Sequence, residues 1–251
     1  MQMIEINETL QYGKRLKITR VFKDVYLLND ADNGTGYLVI GSEKALVIDT
    51  CNGRQNYKKA IRSLTDLPLI LVNTHAHGDH TGGNRFFEKT LIGEKELPYY
   101  DVGECPAEII QDGDLIELGG KTIEAISFAG HTPEGICLLS RKDRCLFTGD
   151  SVLGRTVWMF MPNSVSIDTL RQSLIKLSAF KGEFDYLLTG HGTKADPPEY
   201  IDRLIEACDI ILKGEPKERF GTCNIWGREF PCCYYTGEDG MRATLVYNPK
   251  A

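Results

Sequence analysis

Histidine is scarce in this chain, with five among 251 residues, so any clustering of imidazoles is worth locating. No apolar run approaches the ~20 residues that a bilayer-crossing helix needs, so no membrane span is expected. Positive charge is not in excess. Lys and Arg number 29 against 35 Asp and Glu, a net charge of -6, which argues against nucleic acid and against an anionic membrane surface as partners. The start, Met1-Gln2-Met3-Ile4-Glu5-Ile6, lacks a basic segment followed by an apolar one, so no secretory leader is expected. No Cys-x-x-Cys pair occurs among the eight cysteines. Without a leader, and in a chain large enough to bury its own core, reduced buried thiols in a cytoplasmic protein are expected rather than disulfides. For Cys232-Cys233 the expectation is a packed strand residue beside an exposed one. No short repeat, low-complexity tract or linker breaks the chain. One domain over 1–251 is expected, with its core at about 15–215 and a C-terminal hairpin at about 219–249.

What is present is concentrated. Leu69-Ile70-Leu71-Val72 reads as a buried strand, and the polar run Asn73-Thr74-His75-Ala76-His77-Gly78-Asp79-His80 follows it directly. Three of the five histidines and one carboxylate thus fall within six positions at a strand end, where a loop can aim several side chains at one point. His75 and His77 share one side of an extended backbone and can reach one ion. Asp79 and His80, past Gly78, aim at a second. The remaining histidines are His131, in Gly130-His131-Thr132-Pro133, and His191, in Gly190-His191-Gly192; each ends a stretch that reads as a strand. Such histidines are ordinarily polar turn residues, but here none is left over for ordinary core or surface duty.

Along the chain, residues 15–29 and the pair Gly36–Ile40 and Ala45–Ile48 read as two hairpins. Residues 56–64 read as a helix crossing over to the strand before the histidine loop, and 91–106 look irregular. Two more hairpins follow, over 115–126 and 135–148. Ser166 is an N-cap for a helix carrying Ile167, Leu170, Leu174 and Leu177 on one face. Asp196-Pro197-Pro198-Glu199 reads as a second helix start with Asp196 as its cap.

This ordered set resembles the metallo-β-lactamase fold superfamily over roughly residues 20 to 195. The family's His-x-His-x-Asp-His motif is matched by His75, His77, Asp79 and His80. Its downstream His is matched by His131, its bridging Asp by Asp150 in Thr148-Gly149-Asp150, its last His by His191, and its early Asp by Asp49. The resemblance implies a four-layer αββα sandwich, an α/β (α+β) fold, with the site at one edge of the paired sheets. It implies two divalent metal ions. His75, His77 and His131 would hold the first, Asp79, His80 and His191 the second, Asp150 would bridge them, and Asp49 would buttress the metal loop. Imidazole and carboxylate ligands suit Zn²⁺ and also accept Fe or Mn. A bridging water activated between the ions would attack a substrate carbonyl, with Asp79 contributing to catalysis.

The chain departs from particular branches of the family. Lactamases commonly carry Cys where Asp150 stands, which disfavours a true β-lactamase. Flavodiiron relatives carry Glu at the position of His77. The seven-ligand set looks more like the glyoxalase II group and related lactonases, which implies a hydroxyacylglutathione hydrolase-like enzyme acting on a small ester, thioester or lactone. The stretch Ser151–Trp158 and the tail do not match the glutathione-binding pattern, so a homoserine lactone or other small ester stands on equal footing. An RNA or phosphodiester hydrolase of the same superfamily is disfavoured by the acidic balance. A non-catalytic metal-binding scaffold would be favoured only if a ligand were missing. For the substrate pocket, Val157-Trp158-Met159-Phe160-Met161 follows Asp150 closely. Trp158 and Phe160 are candidates for one wall, though such a run is often core, and Trp226 and Tyr99-Tyr100 are candidates for the other.

Overall fold

Alternation of two apolar faces along the same strands dictates the architecture. In the computed structural model, which describes residues 9–13, 15–31 and 34–248, the strands at 25–30, 35–40 and 45–48 are largely buried on both sides. The start read for a leader lies outside the described residues. The first sheet comprises β1 (Thr9–Tyr12), β2 (Leu16–Phe22), β3 (Val25–Asp30), β4 (Thr35–Ile40) and β5 (Ala45–Ile48), consecutive and antiparallel. Helix α1 (Tyr57–Ile61), capped by Asn56 on the Lys59 amide, then crosses over to β6 (Leu69–Val72), which runs parallel to β5. The helix is shorter than the 56–64 expected. Strands β7 (Thr90–Ile92) and β8 (Ala107–Ile109) extend the sheet in parallel to eight strands.

The second sheet holds β9 (Leu115–Glu117), β10 (Thr122–Phe128), β11 (Gly135–Ser140) and β12 (Cys145–Gly149). From β12 the chain leaves through β13 (Thr156–Met159) and α3 (Ile167–Ser178), and returns as β14 (Tyr186–Thr189), parallel to β12. Between the two sheets pack Val25, Leu27, Tyr37, Val39, Leu46 and Ile48 against Ile123, Ala125, Leu138 and Phe147. Their strand neighbours Leu28, Leu38, Ala45 and Val47 point the other way, onto Tyr57, Ala60 and Ile61 of α1. On the far side of the second sheet, Phe128, Leu139 and Leu146 meet α3 and α4 (Glu199–Lys213) through Leu170, Leu174, Ile201 and Leu204. The layers therefore run helix, sheet, sheet, helix, the αββα sandwich expected. The central strands β4, β5, β11 and β12 bury both of their faces because each sheet is covered twice.

Three further sequence expectations change. Asp196 does not cap α4: its carboxyl accepts the Gly154 amide, its backbone pairs with Leu187, and Pro198 occupies the cap position without a side-chain bond. The tail is a meander rather than a hairpin, with β15 (Phe220–Ile225), β16 (Arg228–Thr236) and β17 (Arg242–Tyr247). It captures β13 in parallel, Trp158 opposite Val246, and so closes a third, four-stranded sheet. Cys232 and Cys233 are both buried: Cys232 faces the cluster with Val246, and the Cys233 thiol sits under the Ala207 carbonyl of α4. All eight cysteines are free thiols. No helix among the described residues is long and apolar enough to cross a membrane.

Candidate metal centre

Strands β5, β6, β10, β12 and β14 all end at one edge of the sandwich, because β5 and β6 are parallel, as are β12 and β14, and β10 lies two antiparallel steps from β12. Asp49 follows β5, His75 and His77 follow β6, His131 follows β10, Asp150 follows β12 and His191 follows β14. After His77 the chain enters a single helical turn, α2 (Gly78–Thr81), with His77 as its cap. The turn rotates His80 into the protein, fully buried, and leaves the Asp79 carboxyl 38% exposed toward the cleft.

The seven expected ligands converge. The ligand atoms of His75, His77 and His131 lie within 4.8 Å of one another, as do those of Asp79, His80 and His191, and those of His75, His80 and Asp150. His77 Nδ1 is 3.1 Å from His75 Nε2 and 3.0 Å from His131 Nε2. Tetrahedral Zn–N bonds of about 2.0–2.1 Å would place such nitrogens about 3.3 Å apart, so the triad fits a cation of that size. Asp150 stands between the groups. Its Oδ2 is 3.2 Å from His191 Nε2 and 3.7 Å from His131 Nε2, and its Oδ1 is 3.4 Å from His80 Nε2. His80 Nε2 and Asp150 Oδ1 are buried without a hydrogen-bond partner among the described residues, since their approach misses hydrogen-bond geometry. A buried imidazole nitrogen and a buried carboxylate oxygen left bare are costly unless something charged fills the space between them. The residues present fit divalent cations.

Protonation divides the ligands. Burial, reinforced by neighbouring imidazoles, holds His75 well below its ordinary value and takes His77 down to about 4, so both are neutral donors. His80 and His191 shift upward. Burial opposes this, but Asp49 and Asp150 outweigh it at His80, and Asp150 with Asp79 outweighs it at His191, which rises to about 10. Their carboxylate partners fall in turn despite burial, Asp79 to about 2 through His191 and His80, and Asp150 well below its usual range through the same two imidazoles.

Supporting contacts fix which ring nitrogen faces the cleft. Asp49 Oδ2 accepts from His80 Nδ1 at 2.8 Å and from the Thr74 hydroxyl at 2.7 Å, while Oδ1 accepts the Thr74 amide at 2.8 Å. With its Nδ1 proton thus committed, His80 turns Nε2 inward. His131 Nδ1 donates to the backbone carbonyl of Trp158 at 2.5 Å, which leaves its Nε2 for the cleft. Asp49 itself adopts φ +57°, and Gly149 before Asp150 adopts φ +50° beneath the Thr74 side chain.

One residue is absent from the sequence reading. Glu96, fully buried in the 3-10 turn Glu94–Tyr99, accepts the Ala76 amide with Oε2 at 3.0 Å and the Glu134 amide with Oε1 at 3.1 Å. Glu134 answers by accepting the Lys95 amide at 2.8 Å. The clasp ties the His75–His77 loop to the loop carrying His131. Its segment has no periodicity, and a charged residue in an irregular stretch gives no signal of burial.

The cleft opens into a cavity of about 970 Å³ whose lining includes His77, Asp79, His131, Asp150 and His191 together with Leu153, Arg155, Trp158, Met161, Lys194 and Trp226. Phe160, expected in the wall, stands behind it: its ring stacks on Phe230 at 4.1 Å and braces Trp158 and Trp226. Tyr99 and Tyr100 are not in the lining; the Tyr100 hydroxyl is engaged with Asn84 and the Cys105 carbonyl.

Residues 29–191 match the Metallo-beta-lactamase superfamily. Over 126 residues, 48% of this chain and 38% of the relative, the chain is 30% identical to an atrochrysone carboxyl ACP thioesterase of Pseudocercospora fijiensis. It is 27% identical to a hydroxyacylglutathione hydrolase of Francisella tularensis over 63% of each chain. It is 28% identical to the beta-lactamase-like protein 2 homolog of Caenorhabditis elegans over 73% of this chain and 62% of that one. The chain thus spans less than two thirds of the length of each of these relatives. Among solved structures, a metallo-beta-lactamase from Erythrobacter litoralis superposes with a TM-score of 0.66 at 14% identity, covering 80% of this chain and 99% of the other. One from Pontibacter korlensis gives 0.61 at 15% identity, covering 80% and 98%. At these identities the likeness is one of fold.

Proposed function

The chain belongs to the metallo-beta-lactamase superfamily, and from that premise we propose that it is a binuclear metallohydrolase cleaving a small ester, thioester or lactone at its carbonyl. The observation that carries the proposal is the pair of ligand triads meeting at Asp150, with His80 Nε2 and Asp150 Oδ1 buried and bare between them. His75, His77 and His131 would hold one ion and Asp79, His80 and His191 the other, with Asp150 shared; Zn²⁺ suits these donors best, and Fe or Mn are accommodated. Bound divalent cations supply the Lewis acidity that activates water near neutral pH and polarises a carbonyl.

The chain's own residues do the rest. Asp49 and the Trp158 carbonyl hold His80 and His131 in the tautomers that leave Nε2 free. Glu96 sets the spacing between the loops that carry the first triad. Asp79, ionised and open to the cleft, is placed to accept a hydrogen bond from the attacking water and orient it. The cavity binds the acyl portion and screens the reacting centre from bulk water.

A thioester is favoured over the other carbonyl substrates because two of the matched relatives are named a thioesterase and a hydroxyacylglutathione hydrolase. The test is a panel of S-lactoylglutathione, acyl-pantetheine thioesters, homoserine lactones, nitrocefin and bis(p-nitrophenyl) phosphate, run on protein reloaded with Zn²⁺, Fe²⁺ or Mn²⁺. Thioester or lactone turnover is expected. Dominant nitrocefin or phosphodiester turnover overturns the substrate class, and silence across the panel in two-metal protein overturns the enzyme in favour of a metal-binding scaffold.

A further inference from the structure

The tip of the β15–β16 hairpin is chemically ill-suited to the turn it makes. Ile225 pairs with Arg228, leaving a two-residue loop of Trp226 and Gly227, both with positive φ, at +52° and +76°. Such a turn favours Asn-Gly, since Asn and Gly enter the left-handed region at little cost. A bulky indole there is an outlier whose strain needs a reason outside the turn. Asn224 already supports the loop by accepting the Gly227 amide at 3.1 Å, so the indole is not needed to close it. Nor does burial explain it: Trp226 is 70% exposed.

The reason lies in what the ring faces. Trp226 meets Trp158 edge to face, centroids 5.1 Å apart and planes at 85°, and both line the cavity that opens from the ligand cluster. Trp158 belongs to β13, whose carbonyl at the same residue holds His131, so the corner is fixed relative to the reacting centre. Phe160 and Phe230 back the wall and keep it from collapsing inward. Two indoles at right angles offer a flat ring one face to stack on and one to meet edge-on, the two arrangements aromatic pairs prefer.

We propose that Trp226 and Trp158 form an aromatic corner that binds a planar aromatic acyl group and makes this enzyme selective for aromatic acyl thioesters or esters. The inference deepens the hydrolase reading and takes its reaction from it, but the corner can be measured without turnover. The informative variant is Trp226→Asn, which suits the turn better than the native residue and removes the ring. Calorimetric titration of metal-reloaded protein with 2-naphthoate, octanoate and butyrate reads the binding, and thermal denaturation reads the fold. Expected are tighter binding of naphthoate than of octanoate, a loss of about tenfold in naphthoate affinity in Trp226→Asn, and a melting temperature equal to or above the parent's. In turnover, the kcat/KM ratio of benzoyl over acetyl thioester should fall by a similar factor. A lower melting temperature with unchanged naphthoate affinity makes Trp226 structural and overturns the proposal. Octanoate binding as tightly as naphthoate overturns the aromatic class. If no thioester or ester is cleaved while naphthoate binding still depends on Trp226, the hydrolase reading fails and the corner stands; cleavage without aromatic preference is the reverse.

Discussion

Replacing Asp49 by Asn removes one acceptor from a carboxyl whose two oxygens serve four donors, the His80 ring, the Thr74 amide and hydroxyl and, at 3.5 Å, the Asn73 side-chain amide. The amide can sit in two ways. With its oxygen toward the Thr74 backbone, its NH₂ faces His80 Nδ1, which must then accept, so the proton moves to Nε2 and that nitrogen is no longer a ligand. With its oxygen toward His80, its NH₂ meets the Thr74 N–H, donor against donor, where 2.8 Å now separates amide from carboxylate. The second choice leaves a buried N–H unsatisfied, at about 1–3 kcal/mol, and weakens the bond to a charged imidazole; the first gives that bond up, at about 1.5–3 kcal/mol. The expected destabilisation of the metal-free protein is on the order of 2 kcal/mol, or about 4–8 °C in melting temperature for a chain of this size. The larger consequence is at the second triad, where loss of such an outer contact should weaken metal binding about 10- to 100-fold. Differential scanning calorimetry gives the first number, and titration with Zn²⁺ against a competing chelator gives the second, with the first triad's affinity as internal control. Asp49→Asn binding two ions with parental affinities would show that the tautomer of His80 is not set by Asp49.

Metal uptake should separate by pH. His77 titrates near 4 and His75 lies well below its ordinary value, so neither must lose a proton above pH 6. His191, raised to about 10, and His80, raised likewise, must each release one. The apparent affinity of the second triad should therefore strengthen with pH up to about 10, with proton release detectable in buffers of different ionisation enthalpy; equal pH dependence at both triads would refute the split. Glu96→Gln puts an amide donor against one of two backbone amides. It should weaken binding at the His75, His77, His131 triad by roughly tenfold with less change at the other, and a fall in melting temperature alone would make Glu96 only a fold residue. Gly190→Ala would place a methyl 2.2 Å from Asp150 Oδ1 and 2.7 Å from His80 Cε1. Metal stoichiometry should fall from two toward one or below, and retained two-metal binding would show that the carboxylate can move.

Of the seven candidate ligands and Asp49, the histidines and Asp79 were legible from local chemistry, and Asp150 and Asp49 from the family resemblance. Histidine is rare, the segments carrying the candidate ligands follow apolar strands, and strand ends of like direction meet at one edge. The layers were legible from the family resemblance, and the near-continuous apolar runs of β4 and β5, which must be covered twice, agree with it. What the sequence could not reach depends on contacts between segments far apart in the chain. Asp196 has every local mark of a helix cap, yet a more demanding donor, the Gly154 amide 42 residues earlier, claims it. Glu96 looks like a surface residue of an irregular stretch until the loops of His75 and His131 are brought to either side of it. The tail reads as a hairpin because a third strand and a parallel partner, β13, come from pairing that no periodicity encodes. That pairing carries Trp226 across to Trp158, so the sequence by itself determined which side chains could meet as metal ligands, and only the tertiary structure decided which aromatic rings share their cavity.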